Sequence, residues 1–294
     1  LRGHDSRHYT ILVDGVPHSM SGVMGGGYVN WNAIPLGMVE RIEITKGAKS
    51  AAHGQTEGGI INIITKKSAN AGELQFTAGS NDRRQYNFNY GLQNAKLSLN
   101  MYANKAEQDA YLRNSDYDNE QAGFNLSYEL NNTDTLRVKY DHQQLKRGLV
   151  VQNVPGSADF DSRYPATPIG DSFANYQGKL PGDGSYTKIF RNNFNVSWNS
   201  NHTNGSDNIT YWKNYEKQRE HNVIGGQVIF DRYNVTDKSD GLMYKGSTKL
   251  NPKHYLGYGI DYKRLRYGYG WYNVGADKAG ALYPSQKMDL IGAY

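Results

Sequence analysis

The sequence has no cysteine, no long apolar run and no block of like charge, and each absence excludes a class of protein. Without cysteine, the 294 residues can form neither a disulfide framework nor a thiolate metal site. Because no stretch of about 18 consecutive apolar residues occurs, no transmembrane helix is expected. The net charge of +5 is scattered along the chain, which favours solvated loops over a nucleic-acid surface.

The composition is instead typical of aromatic-bearing strands joined by polar turns. The chain has 24 tyrosines and 33 glycines, whereas only 37% of its residues are hydrophobic. A compact soluble enzyme of this length usually has a larger aliphatic core. No pair of carboxylates and no arrangement of Ser, His and Asp suggests an activated nucleophile, so we expect neither catalysis nor a cofactor.

From about residue 73 onwards, apolar and polar residues alternate with a period of two. Tyr86, Phe88 and Tyr90 alternate with asparagines, and runs of the same kind follow. They cover residues 97–101, 124–128, 136–140, 194–198, 209–215 and 256–262. This pattern predicts strands with one apolar and one polar face. The apolar face would contact lipid in a barrel, or a second sheet in a soluble adhesin or lectin.

The predicted connections favour the barrel, because from the second connection onwards short and long ones alternate. We expect short connections at 79–84, 92–94, 131–133 and 251–253, a moderate connection at 199–207, and long loops at 106–118, 145–188, 219–238 and 268–286. Bacterial barrels have short periplasmic turns and long outer loops. A loop as long as 145–188 would be unusual inside a compact soluble domain.

Residues 1–67 differ from the rest of the chain. Short β-like runs at 9–13, 39–45 and 60–65 lie between glycine-rich joints, and a helical turn is predicted near 48–52. We therefore predict a small α+β domain over 1–67, followed by antiparallel strands over 68–294.

The N-terminal motifs resemble the C-terminal half of the plug of TonB-dependent receptors. They read LRG at 1–3, ILVDGVP at 11–17, VERIEITKG at 39–47, SAAHG at 50–54 and GGIINIITKK at 58–67. Their order and spacing match the family over residues 1–67. The rest of the chain agrees with the family in architecture only.

The resemblance implies a mainly β protein of the outer membrane, with part of a plug followed by about ten strands of an expected 22. Such receptors take up metal chelates, and a ferric siderophore is the expected ligand, with cobalamin and haem as alternatives. TonB is the implied partner, through a box that would precede Leu1, and outer-membrane lipid and lipopolysaccharide would surround the strands. We therefore expect the chain to be a piece of a longer protein. A plug-like segment argues against a diffusion porin.

The resemblance also implies a lock between plug and barrel. Arg2 and Lys46 occupy the positions of two family arginines that would face barrel glutamates. Lys46 is a departure, because lysine lacks the bidentate fork of arginine. His53 and Ala48 also differ from the usual Tyr and Pro.

Two segments are candidates for ligand binding. The glycine-rich plug segment 19–31 offers apolar contacts, and loop 145–188 combines cations with aromatic rings that would suit an anionic ferric chelate. The candidate residues are Met20, Met24, Tyr28, Trp31, Arg147, Arg163, Tyr164 and Tyr176.

No metal site is predicted. His4, His8, His18 and His53 lie in the plug without a second ligand at a suitable spacing, so we interpret them as solvated. Asp116, Asp118 and Glu120 lack the pattern of a calcium loop and are interpreted as solvated charges.

Overall fold

The computed structural model describes residues 8–18, 34, 38–47, 58–66, 70–167, 181–273 and 278–294, with side chains outside 229–237 and 267–285. These residues form a four-stranded and a ten-stranded sheet. No helix in these ranges is long and apolar enough to cross a bilayer.

The small sheet contains β1 (Tyr9–Val13), β2 (Val16–Pro17), β3 (Val39–Lys46) and β4 (Gly59–Thr65), in the order β2-β1-β4-β3. Strands β1 and β4 are parallel, whereas β3 pairs with β4 antiparallel. The apolar run in β4 is buried as its composition predicts, because Ile61 and Ile63 pack with Ile11, Val13 and Tyr9. Strand β3 forms the exposed edge of this sheet.

Two glycines fix the geometry of the small sheet. Asp14 and Gly15 both have positive φ (50° and 81°), as the tight turn between β1 and β2 requires. The Gly15 N–H donates to Asn62 Oδ1 at 3.0 Å and ties this turn to β4. Gly59 has φ 123°, and a Cβ there would lie 2.2 Å from the Thr45 carbonyl oxygen, so no other residue fits.

The large sheet is a continuous antiparallel meander from β5 to β14, which confirms the predicted strand number. The strands are β5 (Ala71–Gly79), β6 (Arg83–Gln93), β7 (Leu97–Gln108), β8 (Tyr117–Glu129), β9 (Asp134–Gly148), β10 (Tyr186–His202), β11 (Gly205–Ile224), β12 (Gln227–Asn251), β13 (His254–Asn273) and β14 (Lys278–Ala293).

The two faces of the large sheet have the reverse of the usual polarity. Apolar side chains on one face are exposed, among them Leu74 (81%), Phe76, Phe88, Leu242 and Ile260. The other face buries polar side chains, among them Asn119, Gln121, Lys139, Gln143, Arg191 and Asn193. In the described residues no second sheet covers the apolar face, so the core of a soluble sandwich is missing. Lipid outside and a wet lumen inside account for both faces.

The connections correct part of the sequence-based prediction. At one end, the turn end, all connections are short: 94–96, 130–133, 203–204 and 252–253. The opposite, long-loop end has connections at 80–82, 109–116, 149–185, 225–226 and 274–277. Only 149–185 is a very long loop. The predictions of loops at 219–238 and 268–286 are wrong. Polar residues in these ranges continue the strands beyond the apolar band, towards the long-loop end. For the same reason, Lys146, Arg147 and Tyr186 lie in strands and not in the loop.

The face assignment predicts how an added charge acts. Val196 lies on the apolar face, in register with Val138 and Tyr211. We expect Val196→Arg to destabilise the lipid-embedded protein by about 2–4 kcal/mol, since the guanidinium must enter hydrocarbon. Gln75→Arg, on the exposed part of the polar face, should cost less than about 1 kcal/mol. Denaturant unfolding in lipid vesicles checks both, and equal effects would contradict the assignment of the two faces.

Candidate functional site: the plug–barrel contact and the lumen cavity

One plug–barrel contact is built on the turn between β1 and β2. Lys139 of β9 is buried, and its Nζ lies 3.0 Å from Asp14 Oδ2. Asp14 also accepts hydrogen bonds from Thr65, at 2.9 Å from its backbone N–H and 2.8 Å from its hydroxyl. Asn125 of β8 donates to the same hydroxyl oxygen at 2.7 Å. The turn and the end of β4 are therefore held together against the barrel wall.

The electrostatics of Asp14 favour its charged form. Burial alone would raise the pKa of Asp14, but the Lys139 ammonium and the hydrogen bonds from Thr65 outweigh it, and the pKa is lowered. The carboxylate is ionised at neutral pH, so the contact is an ion pair and not a neutral hydrogen bond.

A second contact joins the end of the β1–β2 hairpin to β10. His18 is buried, and its Nε2 lies 3.1 Å from Arg191 Nη1. Arg191 also forms a buried ion pair with Glu216 of β11, with Nε 2.9 Å from Oε2. Because arginine only donates, His18 Nε2 is the acceptor and the proton lies on Nδ1. Burial, then the charges of Arg191 and Lys139, hold the pKa of His18 well below its usual value. The prediction that His18 is solvated is therefore wrong.

Further polar contacts complete this surface. Asn214 of β11 donates to the Pro17 carbonyl oxygen at 3.2 Å, and Asn193 donates to Asp141 Oδ1 at 2.8 Å. A void of about 20 Å³ lies between His18, Lys139 and Asp141. Its lining combines these polar groups with apolar side chains such as Ile34 and Met38, and its volume is just large enough for one water molecule.

These residues were not identified from the sequence, which pointed to a different lock. Arg2 lies outside the described residues. Lys46 lies at the exposed end of β3 and forms no ion pair with another described residue. The signal that was available is that Lys139 and Arg191 fall on the polar face of otherwise alternating strands, where a charge needs a partner.

The lumen wall carries a row of amides beside a large cavity. Each strand from β5 to β9 contributes one residue to this row, and neighbouring residues of the row are register partners: Gln75, Asn87, Asn104, Gln121 and Gln143. The Asn87 amide donates to Gln75 at 3.2 Å, and Asn104 donates to Asn87. A cavity of about 820 Å³ lies between this wall and the plug sheet. Its size falls within the range of small-molecule sites, which is about 300–1,000 Å³.

Of the predicted ligand residues that the structure describes, only Arg147 lies at this cavity, together with Arg83 and Tyr117. Arg163 and Tyr164 lie on the long loop and are not among the residues that line it. Arg163 is 79% exposed and already ion-paired, with Nη2 2.6 Å from Asp161 Oδ2, and its guanidinium lies over the Tyr164 ring. This pairing lowers the pKa of Asp161 to about 2. The other predicted ligand residues lie outside the described residues: Met20, Met24, Tyr28, Trp31 and Tyr176. His4 and His53 also lie outside them.

The described part of the long loop has a compact scaffold. The fully buried Asn153 side chain donates to the carbonyl oxygens of Asp161, Tyr164 and Pro165 and accepts from the Asp161 N–H. Arg113, from the loop 109–116, forms an ion pair of 2.6 Å with Asp183. This scaffold would hold Arg163 and Tyr164 in place without contributions from the plug.

The acidic group of the loop 109–116 and β8 shows no metal-binding arrangement. Glu120 forms an ion pair of 3.1 Å with Lys105. Among the residues that the structure describes, no group of three acidic or histidine side chains could hold a metal ion.

Comparison with known proteins relates the plug segment to a family and the whole chain to a fold. Residues 1–60 match the family model described as TonB-dependent Receptor Plug Domain. All of the chain superposes on 45% of the copper transporter OprC, with 14% identity and a TM-score of 0.70. It matches the unliganded ferric citrate transporter FecA over 99% of this chain and 44% of that one (14% identity, TM-score 0.68). The siderophore receptor PiuA from Acinetobacter baumannii matches over 100% and 46% (16% identity, TM-score 0.66).

A plug segment followed by an outward-apolar antiparallel sheet is the arrangement expected for part of a plugged barrel. Residues 1–60 match the plug domain of TonB-dependent receptors, and the whole chain, with its ten-stranded sheet, has the fold of part of the solved proteins it matches. It spans less than half the length of the solved proteins it matches.

The ion pair between Lys139 and Asp14 predicts a specific loss of plug anchoring. Lys139→Met leaves Asp14 without its cation and should destabilise the plug contact by about 2 kcal/mol, less than the 3–5 kcal/mol of a fully buried pair because Asp14 keeps some water contact. Amide hydrogen exchange of β1 and β4 in the folded receptor should rise accordingly. Lys105→Met, which breaks an exposed pair, is the matched control and should change exchange little. Unchanged exchange in Lys139→Met would contradict the anchoring role.

The burial of neutral His18 predicts a dependence on pH. When the contact opens, the pKa of His18 returns to about 6.5, so the open state binds a proton that the closed state does not. The contribution of His18 is therefore present above this pH and is lost as the pH falls below it. Lys139 and Arg191 strengthen the effect, whereas Asp141 and Glu216 oppose it.

We expect exchange of the β1 and β2 amides to increase between about pH 7 and about pH 5 after correction for intrinsic rates. His18→Gln keeps an acceptor for Arg191 and should remove this dependence. His202→Gln, at an exposed turn, should leave it intact. The same pH profile in both variants would show that another group is responsible.

Proposed function

We propose that the receptor to which this chain belongs takes up a metal chelate actively across the outer membrane, and that the chelate is a ferric siderophore. The observation that carries the proposal is the cavity of about 820 Å³ between plug and barrel wall. Its lining includes amide side chains, Arg83, Arg147 and one carboxylate, Glu107, together with apolar side chains of the plug. The amides and the two guanidinium groups suit a polar, anionic chelate. Some of the matched proteins are named as siderophore receptors or as a ferric citrate transporter, which agrees with this substrate class.

The anchored plug supports active transport over passive diffusion. The contacts of Asp14 and His18 bury charged and polar groups of the plug against β9 and β10. Work is needed to separate such contacts, and we propose that TonB supplies it through a box outside residues 1–294. Within this proposal, outer-membrane lipid and lipopolysaccharide contact the apolar face, and Arg2 and Lys46 remain candidate lock residues.

We propose two groups of ligand residues, one inside the cavity and one at the long loop and the plug. Arg147 contacts the chelate inside the cavity. Arg163 and Tyr164 meet it first at the long loop, together with Tyr176 and with Met20, Met24, Tyr28 and Trp31 of the plug. Cobalamin and haem are the alternative substrates of the same family, and copper is added because one matched protein is named a copper transporter.

Ligand titration of the folded receptor tests the substrate and Arg147 together. Tryptophan fluorescence would be followed during titration with a ferric catecholate, a ferric hydroxamate, haem, cobalamin and a copper salt. We expect saturable quenching by one ferric chelate, and a loss of affinity of about tenfold in Arg147→Ala because a charge-assisted hydrogen bond is removed. Arg163→Ala should lose less, since that guanidinium is exposed and paired with Asp161.

The matched control is Arg137→Ala, which removes a lumen-facing charge near the opposite end of the same strand, β9. It should leave the affinity within about twofold, below the effect of one lost charged contact. Quenching by haem, cobalamin or copper alone would overturn the siderophore. Equal losses in Arg137→Ala and Arg147→Ala would remove Arg147 from the site.

A further inference from the structure

The cavity between the plug and the barrel wall has two sides of opposite chemistry. On the wall side, eight of the described lining residues are amides, and Arg83 and Arg147 add positive charge. On the plug side, every lining residue that the structure describes is apolar: Ile34, Met38, Val39, Ile42 and Ile63. We call these five residues the apolar plug side. A ligand that fills the cavity contacts hydrocarbon on one side and hydrogen-bonding groups on the other.

The apolar plug side is the open margin of the plug core. Ile34 and Ile63 belong to that core and are 8% and 2% exposed, and Val39 packs against it. Ile42 of β3 is in register with Ile63 but is 53% exposed. Because β3 is the edge strand of the described plug sheet, no neighbouring strand shields Ile42 on its outer side. The core therefore ends in a surface that a ligand in the cavity can cover.

The wall side is ordered by hydrogen bonds between its own amides. Asn87 Oδ1 accepts from Gln85 at 3.2 Å and from Asn104, and the Asn87 amide donates to Gln75 at 3.2 Å. These bonds fix the directions of the side chains before a ligand arrives. Each amide has two N–H donors, so the row retains donors for oxygen atoms of a ligand.

The two sides together restrict the chemistry of the occupant. A wholly polar ligand would leave the apolar plug side in contact with water. A wholly apolar ligand would bury the amides and the two guanidinium groups without partners, which is costly. A ligand with a polar, anionic part and an apolar part matches both sides. The volume of about 820 Å³ lies in the upper part of the range of small-molecule sites, so both parts can be accommodated.

We propose that the chelate bound in this cavity is amphiphilic, with its anionic metal-binding head against the amide wall and a short aliphatic arm against the apolar plug side. This inference rests on the proposed function and specifies the substrate class of that site. Arg83 and Arg147 complement the charge of the head. Ile42 determines the preference for the arm, because it is the most exposed residue of the apolar plug side and has the most surface to cover.

Two series of synthetic chelates test the proposal on the complete, detergent-folded receptor. One series is a ferric hydroxamate and the other a ferric catecholate, each carrying one acetyl, butanoyl or hexanoyl arm. Affinities are measured by tryptophan fluorescence titration. We expect the affinity in one series to rise by at least about tenfold from acetyl to hexanoyl, since each buried methylene contributes up to about fourfold. Partition of a chelate into detergent is the same for every variant, so the ratio of hexanoyl to acetyl affinity is compared between variants.

Ile42 has a matched control on the same strand. Ile44 lies on the same face of β3, two residues away, and is 50% exposed, but it does not line the cavity. Ile42→Asn should reduce the ratio of affinities to below about threefold, because the arm then meets an amide. Ile44→Asn should leave the ratio unchanged, and Ile42→Leu should retain most of it. Ile42→Thr keeps the β-branched side chain and replaces Ile42→Asn if that variant does not fold.

The orientation of the chelate is tested from the wall side. Asn104→Leu removes an amide of the row and should weaken binding of all three arm lengths by the same factor, because the head is common to them. A loss that grows with arm length in this variant would place the arm against the wall and overturn the orientation.

The remaining outcomes separate this inference from the proposed function. Equal affinities for the three arms, or equal changes in Ile42→Asn and Ile44→Asn, would overturn the amphiphilic chelate and leave chelate uptake intact. If another segment of the receptor covers the apolar plug side, Ile42→Asn should increase hydrogen exchange of β3 and β4 without ligand, and arm length should have no effect, which also overturns it. Failure of every ferric chelate to bind would overturn the proposed function and this inference with it.

Discussion

A chain that crosses hydrocarbon must pair its own backbone N–H and C=O groups, because lipid offers them no partner. In the large sheet, neighbouring strands supply these partners to each other. The uninterrupted meander from β5 to β14 follows directly, and so does the inversion of polarity between its faces. The plug sheet is different: it has a conventional apolar core around Ile11 and Ile63, and it contacts the wall through polar groups. The two sheets therefore obey opposite rules of burial within one chain.

That contrast explains why the plug–barrel surface is made of charges and amides. An apolar plug surface would bind water-lined walls poorly, and an apolar wall would be drawn into lipid. Ion pairs such as that between Lys139 and Asp14 require a specific geometry, so they fix one position of the plug against the barrel wall. They also gain little net free energy over solvated charges, so they specify the position of the plug more than they stabilise it.

Most of the fold could be predicted from the sequence, because period-two alternation is a local property. Alternation identified seven of the ten strands, whereas β5, β12 and β14 were inferred from the positions of the connections, and the three main plug strands were predicted from short β-like runs. Strand ends were less predictable: beyond the apolar band both faces are polar, and alternation disappears although pairing continues, as in residues 219–224 and 227–238. The plug contacts were unpredictable for a different reason. Asp14 and Lys139 are far apart in sequence, and only the register of a complete wall brings them together. Arg147 was predicted as a loop cation, but its place on the lumen face depends on its position in the alternating strand β9.

The strands of the wall are unequal in length, and this gives the molecule an uneven rim. Strand β5 has 9 residues, whereas β11, β12 and β13 have 20, 25 and 20. About 9–11 residues suffice to cross the bilayer. Because all turn-end connections are short, the additional residues of β11, β12 and β13 extend the sheet at the long-loop end. There, β11 and β12 form a hairpin that ends at Gly225 and Gly226. Within the described part of the sheet, the long-loop edge is therefore high at β11 to β13 and low at β5 and β6. Backbone hydrogen bonds between neighbouring strands hold the high part together.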